Sequence, residues 1–406
     1  MSLKVLAYGY STDMNFGGAS LVMGFREILR RIDPDAEFVY YESVYVNESG
    51  WHDADFKVIR YPYSNLVKRF WVDWFKYRVL RLRPKSSETA EFWRDFSEAS
   101  MVVQLHGICF CSLLAVRKGR CSVRAVVKYI SKLFSPNIAA RLAGKRSVKA
   151  TCSFGPVTRR LDVRAAEWCF RFRLFDAIVV RERESAKELS RFLKSGVKVF
   201  PDMANLMPVP EVCREDGLIG VVTSFQMERQ WKNKETGYID VMVALIEHIR
   251  SKYGWRIRLI PNQDINHKAE VFERNDSAVA HDIYERLACR DGVTVADTAG
   301  LSGMERKAEI SRCKALVSPR YHACVAALSS GVPVLTIGWH CKYLELAELY
   351  GQTEWVMPSD RCSKEALIGK FDLFSERLDE IAIDIMERRK DVFESVVASG
   401  RMMLGE

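Results

Sequence analysis

Acidic residues are absent from one long stretch of this 406-residue chain: between Ala99 and Leu161 there is no Asp or Glu. The same stretch holds Arg117, Lys118, Arg120, Arg124, Lys128, Lys132, Arg141, Lys145, Arg146, Lys149, Arg159 and Arg160, which localises the excess behind a net charge of +9. A block of one sign suits phosphates, an acidic polymer or an anionic membrane surface, and it suits equally the solvated face of basic helices. No recognised nucleic-acid-binding motif accompanies it, so nucleic acid is not an expected partner. Long apolar runs are also missing. Nothing approaches the ~18–20 apolar residues that span a bilayer, and the run beginning at Leu3 reaches Gly9 too soon for a secretory signal. The 11 cysteines are odd in number and lack paired spacing. They read as reduced, mostly buried thiols of a cytoplasmic protein, with Cys109-Phe110-Cys111 short of the companions that a zinc site needs. No metal site is expected.

The length exceeds one typical core, so two domains are expected. Apolar runs rich in Val and Ile, without clean period-two alternation, mark strands buried on both faces: Lys4–Tyr8, Glu37–Tyr41, Phe56–Arg60, Met101–Leu105, Ala150–Phe154, Ala177–Val180 and Val197–Phe200. Helical patterns such as Ala19–Ile32 and Glu184–Leu193 lie between them. The second half repeats the alternation, with strands at Leu218–Thr223, Arg256–Ile260, Val293–Val295, Ala315–Val317 and Val332–Ile337. This predicts an α/β protein of two Rossmann-like domains facing across a cleft. Residues 1–205 would form the first and 215–374 the second, with 375–406 a helix packing back across both. Pro201, Pro208 and Pro210 punctuate the polar connector. Residues 63–83 interleave Phe70, Trp71, Trp74, Phe75 and Tyr77 with Lys68, Arg69, Lys76, Arg78, Arg81 and Arg83. That pattern fits an interfacial membrane helix and also a core helix with a basic outer face.

Chemistry concentrates where strands end. The strand at 315–317 runs into Arg320-Tyr321-His322, a small-residue helix, then Gly331-Val332-Pro333 and Lys342. An Arg and a His at the carboxyl end of a strand and the start of a helix form an anion site in an open α/β sheet. His322 titrates near the working range and is the foremost acid–base candidate; His106, His340 and Asp202 are secondary. Arg320 can hold a carboxylate or phosphate bidentately. Arg181, with Glu182 and Ser185, lies just past another strand, and Ser153, Gly155 and Pro156 end one more. The first strand enters a Gly-rich turn with Asn15, Gly17 and Gly18, which is neither G-x-G-x-x-G nor a Walker loop.

Taken together, these segments resemble the polysaccharide pyruvyl transferase family. The likeness is carried in order by Asn15-Phe16-Gly17, Arg181-Glu182 with Ser185, Pro201-Asp202, Arg320-Tyr321-His322, Gly331-Val332-Pro333 and Lys342. Gly18 stands where the family usually has Asp, and His106-Gly107 where a Gly-Gly pair is common. The resemblance implies a GT-B-like transferase that moves the enolpyruvyl carbons of phosphoenolpyruvate onto two hydroxyls of a sugar. The products would be a cyclic pyruvate ketal and phosphate. It implies Arg181, Arg320, Lys342 and Tyr321 around phosphoenolpyruvate, His322 with Arg320 in catalysis, and Asn15, Gly17, Gly18 and His106 on the acceptor side. No cofactor is implied beyond phosphoenolpyruvate as co-substrate, and Mg²⁺ is left open. The acceptor would be a glycan or its lipid- or nucleotide-linked precursor. Peripheral contact with the inner face of a membrane through 63–83 and 117–160 is an expectation of the residue pattern itself, beside the alternative of a core helix and a solvated basic face. A GT-B glycosyltransferase using a nucleotide sugar, and a non-catalytic glycan- or membrane-binding relative, remain open as other readings.

Overall fold

The computed structural model describes residues 3–9, 16–42, 51, 53–63, 66–82, 86–111, 122–193, 196–209, 211–231, 236–263 and 275–406. Among them the strands form two wholly parallel sheets, as expected for apolar runs without alternation. The first holds β1 (Lys4–Gly9), β2 (Glu37–Glu42), β3 (Lys57–Arg60), β4 (Met101–Gln104), β5 (Ile108–Cys109), β6 (Arg146–Phe154) and β7 (Ala177–Val180), in the order β3-β2-β1-β4-β6-β5 with β7 also on β6. The second holds β8 (Glu215–Thr223), β9 (Arg256–Pro261), β10 (Val293–Val295), β11 (Cys313–Ser318), β12 (Val334–Gly338) and β13 (Val356–Pro358), in the order β10-β9-β8-β11-β12-β13. Each order reverses at its centre, between β1 and β4 and between β8 and β11. Ligands settle at such points, outside the carboxyl ends of the strands.

Three local differences from the sequence expectation have physical causes. β6 starts at Arg146 rather than Ala150, because Lys149 lies fully buried inside it and satisfies its ammonium on the His106 and Ala150 carbonyls. A charged residue in a strand hides that strand from an apolar pattern. β5 and β13, two and three residues long, are too short to carry a period. The run at Val197–Phe200 forms one bridge, Val199 to Val180, instead of a strand.

The proline-marked connector is not a solvated linker. Residues Pro201 to Met207 are buried, and Met203–Leu206 forms a 3-10 helix. Its backbone lies so close to the helix Phe16–Ile32 that a Cβ on Gly24 would sit 2.1 Å from the Met203 carbonyl oxygen. Met203, Leu206 and Met207 are apolar and belong to the core, which outweighs the turn signal of the prolines. Pro210 lies outside the described residues. The helix Leu378–Leu404 touches both halves: Gly400 packs on Ile28, and Arg389 donates to the Ser329 carbonyl at 3.4 Å.

The aromatic–basic stretch divides between two roles. The helix Val67–Trp74 continues as a π-helical turn, Phe75–Val79. Tyr63 and Phe70 are buried in an aromatic cluster, with ring centroids 5.2 Å apart and Trp93 5.3 Å from Phe70, while Val72, Phe75 and Val79 face outward. Arg83 lies outside the described residues. Among the described residues no helix is long and apolar enough to cross a membrane. Gly24→Val should destabilise the fold by about 1–3 kcal/mol, the usual range for overpacking, seen as a lower urea midpoint with an unchanged m-value.

Candidate active site

Arg181 follows β7, so its side chain starts from the sheet edge and meets the groups that end the neighbouring strands. Its Nε donates to Glu182 Oε1 at 2.9 Å and to Ser153 Oγ at 3.2 Å; Nη2 donates to Ser153 Oγ at 2.9 Å and to the Gly107 carbonyl at 3.2 Å. Nη1 donates to Asp202 Oδ2. With 3% of its side chain exposed, burial works against the charge, but Asp202 and Glu182 outweigh it and hold the guanidinium protonated. Asp202 is fully buried. Burial alone would raise its pKa, yet Arg181, His322 and the Ala204 N–H hold it below the ordinary carboxylate value.

His322 sits in the first turn of the helix Tyr321–Ser329, whose N-cap is Arg320. Its Nε2 lies 3.5 Å from Arg181 Nη1 and 3.7 Å from Asp202 Oδ2. Burial pushes its pKa down to about 3; Asp202 opposes this, and the positive charges of Arg181 and Lys342 add to it. The ring is therefore neutral at neutral pH, and its remaining 19% exposure opens into a cavity. Gly17 packs directly on it, since a Cβ there would lie 2.3 Å from His322 Nδ1. This contact ties the first helix of the first half to the chemistry-bearing helix of the second, and only glycine fits.

Lys342 lies in the first turn of the helix Cys341–Leu349, capped by His340, whose Nδ1 accepts from the Lys342 N–H at 3.4 Å. Its Nζ stands 5.2 Å from the Tyr321 ring, 5.2 Å from Trp339 and 5.6 Å from Tyr343. Among the described residues no carboxylate is within ion-pair distance of it. Burial, reinforced by Arg181, brings its pKa down to about 8. The Arg181 guanidinium carbon lies 4.9 Å from the same Tyr321 ring, so this one aromatic serves two cations.

These groups border a cavity of about 490 Å³ at the junction of the two halves. Gly17, Gly18, His106, Gly107, Arg181, His322 and Lys342 line its polar side, and Leu21, Ile108, Phe110, Tyr129, Leu133 and Phe134 line the other. His106, held near pKa 3 by burial and by Lys149, is also neutral. Six residues picked from the sequence thus converge here, with Tyr321 packed on two of them. Arg320 does not line the cavity. Its Nη2 pairs with Asp276, the first residue of the helix Asp276–Arg286, and its N–H donates to Ser318 Oγ at 3.1 Å. Asn15 lies outside the described residues. Glu182 and Ser153 proved to be the seat of Arg181. Lys149, beneath His106, had a signal in the sequence: a lysine inside an otherwise apolar run.

Two parallel-sheet α/β halves, a cleft-side cavity and a helix crossing back over both define a GT-B-like enzyme architecture. Solved structures agree on the fold. A putative UDP-N-acetylglucosamine 2-epimerase from Listeria monocytogenes matches at 10% identity and a TM-score of 0.56, covering 100% of this chain and 94% of that one. UDP-GlcNAc 2-epimerase from Methanocaldococcus jannaschii matches at 10% identity and 0.56, covering 91% and 92%. The S. aureus MnaA–UDP structure matches at 9% identity and 0.53, covering 93% and 89%. No curated protein matches the chain in sequence. The family model for polysaccharide pyruvyl transferase matches residues 15–340. The chain belongs to the polysaccharide pyruvyl transferase family, and so to the transferases, with pyruvyl transfer onto polysaccharide as its general reaction.

Asp202→Asn would leave Arg181 buried with one carboxylate fewer. A loss of about 3 kcal/mol in unfolding free energy is expected from breaking such a pair, measured by urea titration.

Proposed function

We propose that the donor is phosphoenolpyruvate and the product a cyclic pyruvate ketal on a saccharide. The observation that carries this reading is the convergence of Arg181, Lys342 and His322 on one cavity, with Lys342 the cation not engaged by a carboxylate of the described residues. Phosphoenolpyruvate brings a carboxylate and a phosphate, which a cationic wall of low dielectric attracts strongly. Four of the five hydrogens of Arg181 are taken by Asp202, Glu182, Ser153 and Gly107, and Nη1 also faces His322 Nε2 at 3.5 Å, so it contributes chiefly a fixed positive field. Lys342 contributes the mobile contact. Arg320 is a positioning residue whose pairing with Asp276 fixes the entry to the His322 helix.

The proton inventory assigns the remaining roles. C3 of the donor gains one proton and becomes a methyl group. The first sugar hydroxyl bonds to C2 and gives up its proton. The bond from C2 to the phosphate oxygen breaks, and phosphate leaves with the electron pair. The second hydroxyl adds at C2, and its proton departs with the phosphate. His322 is neutral and so has a free ring nitrogen, but its lowered pKa makes it a transient carrier that passes the hydroxyl proton on. Lys342, near pKa 8, is suited to supply the proton at C3 and is restored by the proton so relayed. The helix N-terminus at Tyr321 favours the charge that builds on the departing phosphate. His106, Gly17 and Gly18 border the space left for the sugar.

The test is phosphate release from phosphoenolpyruvate by the purified protein with saccharide acceptors. His322→Ala and Lys342→Ala should each lower kcat/KM by about 10²-fold or more, the range of lost acid–base groups. Gly17→Ala should cost about tenfold by displacing the ring, and Arg320→Ala less than Lys342→Ala. Full activity in the His322 and Lys342 variants, or thermal stabilisation by UDP and none by phosphoenolpyruvate, would overturn the reading. The pH profile follows from Lys342. Its pKa is lowered, so its protonated form is lost as pH rises through about 8, and kcat/KM for phosphoenolpyruvate should fall above that pH. His322 titrates near 3 and contributes no acid limb between pH 5 and 8.

A further inference from the structure

The acid-free region and the outer side of the aromatic–basic stretch meet on one face of the first half. The helix Val123–Leu142 packs beside the helix Val67–Trp74 and beside the helix Arg160–Arg171. A groove of about 570 Å³, lined by Trp71, Val127, Ile130, Leu142, Trp168 and Phe172, joins the three. Two of its lining side chains stay largely in solvent, Leu142 at 62% and Phe172 at 68% exposed; Val123, on the same helix as Leu142, and Phe75, just past Trp74, are exposed to 66% and 50%. Most exposed large apolar residues of the described chain fall between 66 and 172.

Cations interleave with them. Arg124, Val127, Lys128 and Ser131 fall at three- and four-residue spacing and so share one side of their helix, with Lys132 next to them. Lys76 and Arg78 flank Phe75 and Val79. Among the described residues no carboxylate is within ion-pair distance of Lys76, Arg78, Arg124, Lys128 or Lys132. The acids of these helices and beside them are paired: Asp73 with Arg69 at 3.7 Å, Asp162 with Arg159 at 2.8 Å, Asp176 with Arg141 at 2.6 Å and Glu167 with Arg164 at 3.2 Å.

We propose that this face docks onto an anionic membrane surface. A protein partner or a second copy would favour an apolar centre depleted in lysine. Apolar side chains threaded with unpaired Lys and Arg match the boundary between lipid headgroups and acyl chains, where both kinds of group are satisfied at once. The same helix sends Tyr129, Leu133 and Phe134 into the cavity, so docking sets the cavity beside the lipid surface. For an acceptor carried on a lipid, that is where the acceptor resides. The docking itself does not depend on which reaction the cavity performs.

The full chain should be sedimented with vesicles of phosphatidylcholine alone and of phosphatidylcholine mixed with phosphatidylglycerol. Binding to the mixed vesicles should exceed that to neutral ones by about tenfold or more and should weaken as salt shortens the Debye length to ~3 Å at 1 M. Arg124→Glu with Lys128→Glu and Lys132→Glu, and separately Val127→Ser with Phe172→Ser, should each lower binding by about tenfold. Circular dichroism and phosphate release with a water-soluble acceptor should be unchanged. If either set fails to fold, Phe75→Ser and the salt dependence of the unaltered protein carry the test. Equal binding to both vesicles, no binding, variants that bind as the parent does, or a dimer in solution that the Val127→Ser, Phe172→Ser variant abolishes would each overturn the proposal.

Discussion

A guanidinium buried to 3% exposure must be neutralised where it sits, and the site is built around that requirement. Arg181 draws Asp202 from the connector, Glu182 and Ser153 from the strand ends, and the Gly107 carbonyl into one shell. Asp202 can serve only because Met203–Leu206 folds inward as a short helix, and its other oxygen caps that helix. The pair therefore fixes the connector against the first sheet. His322, 3.5 Å from Arg181, is then placed by the same shell from the second half. Removing either partner of such a pair would leave an uncompensated buried charge, so the two are bound to stay together.

With one cation saturated, the second acquires a different character. Lys342 is surrounded by three aromatic faces and no carboxylate among the described residues, and the like charge of Arg181 adds to its burial. Such surroundings lower the cost of giving up a proton. Burial, with the same positive field adding to it, depresses His322, so the site holds a neutral imidazole beside an ammonium of reduced pKa. Placement thus pushes two groups of ordinary type in the same direction, each toward its neutral form.

The polar wall of the cavity comes from both halves, whereas the apolar wall comes from the first. Gly17 packs against His322 between them, Ser302 Oγ donates to Asp53, and the helix Leu378–Leu404 touches both halves. The acid-free block is not a single feature either. Arg159 borders the cavity, Lys149 supports the His106 turn from within a strand, and Arg124, Lys128 and Lys132 face solvent. One compositional signal resolves into three physical roles because successive residues of a helix or strand point in different directions.

The parallel sheets, the strand ends and the positions of Arg181, His322 and Lys342 were legible in the amino-acid sequence, because burial on both faces and the chemistry of strand termini leave local marks. Local marks could not say which cation is paired. Arg320 stands two residues from His322 yet turns to Asp276, while Asp202, 120 residues away, reaches the ring region. Nor could they reveal that the proline-rich connector is core, that Gly17 is small because an imidazole lies against it, or that Lys149 sits inside a strand. Those outcomes depend on which elements come into contact, and contact between distant segments is decided by packing and by the need to satisfy buried charge. The sequence by itself determined the architecture and the chemical inventory. The tertiary structure decided which of those groups are neutral, which are charged and which are free to meet a ligand.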